Sequence, residues 1–356
     1  MPIQGADIYR LFDLVVEKSA SDLHITVGRP PSIRLQGQLR NINHPALTAA
    51  ETTALIEEII PPGKLKEFRE VGSSDFGFAY EDKARFRVAT FRQKGVDAMV
   101  CRLIPYKLLT FEEIGLPPSV VELVDRPRGL LLVTGPTGCG KTTTLATMID
   151  HINQNNGIHI VTIEDPIEYY HEHKKAIVNQ REVGTDVPSF AEAIRRALRE
   201  DPDVILLGEM RDLETIATAI TAAETGHLVF GTLHTTGSAR TVDRIIDQFP
   251  PEQQEQVRVQ LSVSLIGVIS QVLMPRADGS GLVAGFELMT MTAGIENHIR
   301  KNETFKIPSA IQTGKGKGMF LLDDHLLQLF EEGKIDQGQV LAKCQDPRRT
   351  REKLGL

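Results

Sequence analysis

Apolar positions along this chain fall into two kinds of pattern, and the change from one to the other divides it. Ile8, Leu11, Phe12, Val15 and Val16 recur at intervals of three and four, the spacing of one helix face, so a helix is expected over Ile8–Glu17. Leu23–Val27 is short, apolar on alternate positions and closed by Gly28-Arg-Pro-Pro, which predicts a strand; a second strand is expected over Ser32–Arg40. Thr48-Ala-Ala-Glu51 has the form of a capping box opening a helix to Ile60, where Pro61-Pro62-Gly63 stops it. Ser74–Tyr80, Arg85–Phe91 and Ala98–Ile104 read as a three-stranded meander with turns at Glu81-Asp82-Lys83 and Gln93-Lys94-Gly95.

Beyond residue 118 the alternation gives way to predominantly apolar runs at 130–134, 158–163, 204–207 and 228–233, each followed by a helical stretch. Strands without a polar face are buried on both sides, so this rhythm predicts a parallel sheet covered by helices on both faces. The chain is therefore expected to be α/β throughout, with a smaller domain over residues 1–104, a linker over 105–118 carrying Pro105, Gly115, Pro117 and Pro118, and a larger domain over 119–356. Gln312–Met319 reads as a flexible loop, the end of the chain is helical and polar, and no internal repeat is present.

The chemistry enters after the first apolar run. Gly135-Pro136-Thr137-Gly138-Cys139-Gly140-Lys141-Thr142 fits G-x-x-x-x-G-K-[ST], and it stands between a strand and a helix that opens with Thr142 and Thr143. The glycines let backbone N–H groups converge on one anion, and the following helix adds its positive end. Lys141 is placed to reach β- and γ-phosphates, and the Thr142 hydroxyl to hold Mg²⁺. Cys139 at that helix start has two readings: a thiol activated by the helix end, or a small side chain that fits.

In an open parallel sheet, ligands sit outside the carboxyl ends of the strands. The glycine loop, Glu164-Asp165-Pro166, Gly208-Glu209-Met-Arg211-Asp212 and His234-Thr235-Thr236 each follow one of the four apolar runs, so all are expected on one rim. Glu209 is the candidate for polarising the attacking water, directly or through the metal; the alternative is that it caps the helix starting near Asp212. Glu164 is the second candidate acid, for metal-bound water or the nucleophile, against the reading of a solvated turn acid. His234 is a candidate sensor of the terminal phosphate. His227 opens the same strand from the opposite rim, where a packing or capping role competes with a catalytic one.

Composition narrows the classes. The chain has 356 residues, enough for two domains, and a net charge of -7, which argues against a dedicated nucleic-acid binder. Its 3 cysteines, Cys101, Cys139 and Cys344, are dispersed, as in a reducing compartment. No basic-then-apolar leader and no apolar run long enough to span a bilayer are seen, so a cytoplasmic protein with at most a peripheral membrane role is expected.

Longer stretches carry a family resemblance. Ala20-Ser-Asp-Leu-His24, Gly129–Gly138, Thr162-Ile-Glu-Asp-Pro-Ile-Glu168, Asp201–Asp212, Gly226–Thr236 and Val242–Pro250 resemble the secretion ATPase superfamily and, within it, the type IV pilus retraction ATPases that drive twitching motility. The resemblance covers nearly the whole chain. It implies a PAS-like N-terminal domain, a RecA-like P-loop ATPase domain, ATP and Mg²⁺ as ligands, and a homo-hexameric ring with nucleotide between the two domains. It implies arginine-finger roles for Arg87 and Arg102, which match the pattern Arg-Val-x-Thr followed by x-x-Arg-Leu, and a place near the nucleotide for Arg195 and Arg199, one helical turn apart. The implied partners are an inner-membrane platform protein and a paralogous retraction ATPase, at the cytoplasmic side of a bacterial inner membrane, with no direct nucleic-acid contact. Assembly and type II secretion ATPases usually carry a tetracysteine zinc module, which 3 dispersed cysteines cannot form. The retraction signature Ala-Ile-Arg-Asn-Leu-Ile-Arg-Glu is replaced here by Gly294-Ile-Glu-Asn-His-Ile-Arg-Lys301, a departure that bears on coupling to retraction rather than on hydrolysis. Two other roles share the same site: an NTPase powering protein or DNA transfer, and a nucleotide-gated accessory subunit of a pilus motor.

Overall fold

The computed structural model describes residues 7–35, 37–81, 83–104 and 108–356, which form two compact units. The first runs to residue 107 and takes in Pro166–Tyr170; the second holds Leu108–Asp165 and His171–Leu356.

The first unit is an antiparallel sheet with helices. Its strands β1 (Asp22–Ile25), β2 (Ser32–Leu35), β3 (Gln38–Asn41), β4 (Ser73–Tyr80), β5 (Ala84–Gln93) and β6 (Val96–Ile104) lie in the order β3-β2-β1-β6-β5-β4. Helix Ile8–Glu17 forms as the spacing predicts, capped by the Asp7 carboxylate, and Ile8, Leu11, Phe12 and Val15 are all fully buried. Phe12 stacks on Phe86 of β5 with ring centroids 4.1 Å apart, tying the helix to the sheet. Thr48 and Glu51 make the expected capping box for helix Ala49–Ile59. Two expectations are corrected here. Ser32–Arg40 is a hairpin rather than one strand, because Gly37 turns the chain at φ +80°. Pro61-Pro62-Gly63 ends one helix but opens another, Pro62–Val71, since proline in the first turn forfeits no hydrogen bond. Asp82 of the expected β4–β5 turn lies outside the described residues.

The second unit is the covered parallel sheet. Strands β7 (Gly129–Thr134), β8 (His159–Glu164), β9 (Ile177–Glu182), β10 (Val204–Leu207), β11 (Leu228–Leu233), β12 (Leu265–Pro275) and β13 (Leu282–Thr290) lie in the order β13-β12-β7-β11-β10-β8-β9. All neighbours are parallel except β12 and β13. Alternate residues of each central strand feed two different cores. Leu130 and Leu132 of β7, Ile205 and Leu207 of β10 and Val229 of β11 pack with helices Leu213–Glu224 and Ser238–Ile246. Leu131 and Val133, Val204 and Leu206, and Phe230 pack with Leu145, Met148 and Ile152 of helix Lys141–Asn155. This is the RecA-like arrangement, and the first unit is PAS-like.

Residues 108–118, part of the expected linker, include a capped helical turn, Phe111–Ile114, and belong to the second unit, while 105–107 lie outside the described residues. Gln312–Met319 is more ordered than its composition suggests: helix Ile307–Thr313 ends within it and a 3₁₀ turn follows at Lys315–Lys317. At the far edge, Glu287 of β13 is 3% exposed and its carboxylate accepts four hydrogen bonds. They come from Ser238 N and Oγ (both 2.7 Å), Leu322 N (3.4 Å) and Gln345 Nε2 (3.3 Å).

Candidate active site

The carboxyl ends of β7, β8, β10 and β11 bring the predicted clusters to one rim. Parallel pairing puts Thr134 beside Leu233 and Leu207 beside both Gly231 and Ile163, so the segments that follow these residues emerge together. The glycine loop has the backbone its sequence requires: φ is +145° at Gly135, +77° at Gly138 and +88° at Gly140. Pro136, Thr137 and Gly138 are exposed at its crest. Lys141 Nζ donates to the carbonyls of Gly135 (2.8 Å) and Pro136 (3.2 Å), which holds the ammonium across the loop. Glycine stands at the N-cap of the helix beginning at Lys141, so that position makes no side-chain cap bond of its own, which suits an anion at the helix end. Thr142 and Thr143 occupy its first turn, partly exposed.

A line of polar contacts joins the loop to the neighbouring strand ends. The Thr137 hydroxyl meets His234 Nδ1 at 3.3 Å, and His234 Nε2 meets Glu209 Oε1 at 2.9 Å. The same Glu209 oxygen accepts from Arg211 Nε. The carboxylate raises the already high pKa of Arg211 further. Glu209 is not the helix cap: Asp212 caps Leu213–Glu224, accepting from Thr215 N at 2.8 Å. Burial opposes ionisation of Asp212, yet its hydrogen bonds from Thr215 hold the carboxyl below the usual range. Glu209 is thereby left for the rim.

Glu164 is not a solvated turn acid either. It is 8% exposed, and its Oε1 accepts from Thr162 Oγ1 (2.7 Å) and Gln180 Nε2 (3.2 Å). A carboxylate held inside by two donors keeps a fixed direction. Gly208 lets β10 come close beside it, since a Cβ there would stand 3.3 Å from Glu164 Cα.

Cys139 behaves as the small side chain that fits. It is buried, and burial pushes the thiol up against the opposing pull of Lys141, so the helix start does not activate it.

Five further expected residues, His227, Arg195, Arg199, Arg87 and Arg102, belong to other segments of the chain. His227 precedes β11, at the end of that strand opposite His234, and its Nδ1 bonds the Ala222 carbonyl at 2.9 Å. A strand of six residues separates it from this rim, so the packing role holds. Arg195 is paired with Glu192 (3.1 Å) and Glu214 (2.8 Å). Helix Phe190–Ala197 ends before Arg199, so the two arginines do not share a helical face. In the first unit, Arg87 and Arg102 are direct cross-strand neighbours on β5 and β6. Arg102 Nε donates to the buried carboxylate of Asp22 at 2.9 Å, while Arg87 is exposed.

Sequence reasoning overlooked the residues that hold the rim in place. Arg211 lay within a quoted motif without a role. Met210 anchors the Glu209 turn by packing on Gly231, where a Cβ would come within 2.2 Å of its sulfur. Gln271, on an undetected strand, supports the glycine loop from below. Among the described residues no group of three or more His, Cys, Asp or Glu is placed to hold a metal. The donors present, the Thr142 hydroxyl with the Glu209 and Glu164 carboxylates, fit a magnesium ion, which takes one or two carboxylates and draws its other ligands from phosphate and water.

The model of the type II/IV secretion system protein family matches residues 5–304. This chain belongs to that family. It is 50% identical over 341 residues to the type IV pilus retraction ATPase PilT of Pseudomonas aeruginosa, covering 96% of this chain and 99% of the relative. It is 48% identical over 305 residues to a twitching motility protein of Neisseria gonorrhoeae, covering 86% and 82%. A solved structure of the pilus retraction motor PilT with bound ADP superposes with a TM-score of 0.91 at 46% identity, covering 97% and 98% of the two chains. No helix among the described residues is long and apolar enough to cross a membrane.

Proposed function

We propose that this protein is an ATP-hydrolysing motor of a type IV pilus machine and that it powers pilus retraction and twitching motility. The observation that carries the reading is the line Thr137–His234–Glu209–Arg211, which joins the phosphate loop to a carboxylate at the neighbouring strand end. It stands in a chain half identical, end to end, to a retraction ATPase. ATP is the substrate. Lys141, now donating to carbonyls of its own loop, exchanges them for phosphate oxygens, and the helix end takes the rest of the charge. Thr142, Glu209 and Glu164 would hold Mg²⁺, which supplies charge shielding at the phosphates when bound. Glu209, aimed by His234 and Arg211, orients the water that attacks the terminal phosphorus, and His234 reports whether that phosphate is present. Arg87 and Arg102 supply guanidinium charge to the same phosphate. The working assembly is a homo-hexamer on the cytoplasmic side of a bacterial inner membrane, acting on a platform protein of the pilus machine.

Gene deletion scored for surface pili and twitching tests this. Excess pili that do not retract, unrelieved by a Lys141→Ala copy, are expected; loss of pili makes the protein an assembly motor and overturns the reading.

One observation favours a second role, as an accessory subunit working with a paralogous retraction ATPase. In helix Ala293–Arg300, Ile295 and Ile299, which are common to the retraction signature, are fully buried. Of the departures, Glu296 and His298 are half-buried and Lys301 is exposed, with His298 paired to Glu303 at 3.4 Å. The helix is thus kept while the surface it offers a partner is changed. Normal retraction in the deletion strain, with phosphate release by the purified protein only in a mixed complex, identifies this role.

A further inference from the structure

Gln271 sits within β12, 1% exposed, among residues that are almost all apolar. A buried amide is costly unless both its ends are bonded, and here both are. Nε2 donates to the main-chain oxygen of Cys139 at 2.6 Å, and Oε1 accepts from the Thr144 hydroxyl at 2.9 Å. The main-chain oxygen of Gln271 also lies directly under the start of the loop: a Cβ on Gly135 would approach it to 2.2 Å. One residue therefore meets the beginning of the glycine loop, its Cys139 peptide and the first turn of the helix that follows.

Its own position is fixed. β12 is paired on both sides, with Ser270 beside Thr134 of β7 and Gln271 beside Phe286 of β13. The contact with Cys139 has a directional result. In a planar trans peptide the C=O and the following N–H point opposite ways. Drawing the Cys139 oxygen toward Gln271 therefore turns the Gly140 N–H away from β12. An apolar side chain of the same volume would fill the space without choosing between the two orientations of that peptide, and Gly140, with φ +88°, is flexible enough to take either.

We propose that Gln271 is a positioning residue for nucleotide: it sets the Cys139–Gly140 peptide so that the Gly140 N–H faces the phosphates before they arrive. This rests on reading residues 135–142 as the phosphate loop. The role is pre-organisation, so its loss lowers the fraction of protein ready to bind and raises the apparent dissociation constant in proportion.

The test uses the full-length protein with Gln271→Met, which keeps volume and removes both polar contacts. Kd for a fluorescent ADP analogue, KM and kcat for ATP, and the nucleotide-free melting temperature are measured. Kd and KM are expected to rise about tenfold, with kcat changed less than about threefold and melting little altered. An unchanged Kd overturns the proposal, as does a lowered melting temperature with unaltered affinity. Thr144→Val removes only the hydroxyl that orients the amide, and is expected to raise Kd about threefold. If Gln271→Met does not fold, an unchanged Kd in Thr144→Val overturns the proposal in its place. Lys141→Ala is run beside both. If it too binds nucleotide normally, the phosphate-loop reading falls; if it alone weakens binding, only the role of Gln271 falls.

Discussion

Gly135→Ala is the substitution for which the structure gives the sharpest expectation. Two independent costs meet at this residue. Its φ of +145° is a conformation that side chains rarely adopt, at a cost of about 1–3 kcal/mol. The new methyl would also stand 2.2 Å from the Gln271 carbonyl oxygen and 2.7 Å from Cys139 Sγ, so something must move by roughly 1 Å. β12 resists giving way, because Gln271 is paired with Phe286 of β13 and the residue before it, Ser270, with Thr134 of β7. The loop is what yields. Its strained shape is then no longer the resting one, and the energy appears as lost affinity rather than as unfolding. About 3 kcal/mol corresponds to roughly two orders of magnitude in Kd. Gly138→Ala supplies an internal scale: its Cβ would meet nothing within 4 Å, so only the left-handed φ of +77° costs, and about tenfold is expected. Both are read by titrating a fluorescent ADP analogue against the nucleotide-free protein, with thermal melting alongside. An affinity within about threefold of the parent for Gly135→Ala, or a smaller loss than for Gly138→Ala, refutes the reasoning.

Other substitutions separate the remaining roles. Glu209→Gln keeps the shape but removes the charge that His234 and Arg211 face; phosphate release should fall about a hundredfold or more with nucleotide Kd nearly unchanged. Arg102→Ala should cost turnover far more than nucleotide binding, and equal losses in both would remove its proposed role at the terminal phosphate. Burial pushes the pKa of His171 down to about 4, so between about pH 6.5 and 4 the unfolded chain binds the proton that the folded chain refuses. The folded state should therefore be at full stability above that window and lose about 2 kcal/mol between pH 7 and pH 5, a slope that His171→Asn flattens in denaturant titrations.

The parts of this protein most legible in its sequence are those where one physical demand dominates. Parallel strands buried on both faces must be apolar, so β7, β8, β10 and β11 stand out as runs, and the segments after them locate the rim. The escaped strands are the ones where demands mix. β9, Ile177-Val-Asn-Gln-Arg-Glu182, is an edge strand whose pattern runs against its burial, with Ile177 exposed and Glu182 buried. β12 continues without a break from helix Pro251–Ser264, whose Val257 and Leu261 are apolar too, so no turn residue announces the change. Gln271 was hidden for the same reason: a single amide in an apolar run carries no spacing that points to a loop more than a hundred residues away. The alternatives at Glu209 were separated by Asp212, whose capping bond is a matter of geometry between two acids that read alike in sequence.

The four bonds to Glu287 tie together segments far apart along the chain. The start of the helix after His234, the first turn of Leu322–Glu331 and the stretch at Gln345 all bond one carboxyl group sealed from water. Ser238 holds one oxygen with two bonds, and Leu322 and Gln345 share the other. One buried side chain thus cross-links the turn before Ser238, the helix Leu322–Glu331 and the stretch at Gln345, a tie among segments that the sheet's own ladders do not join.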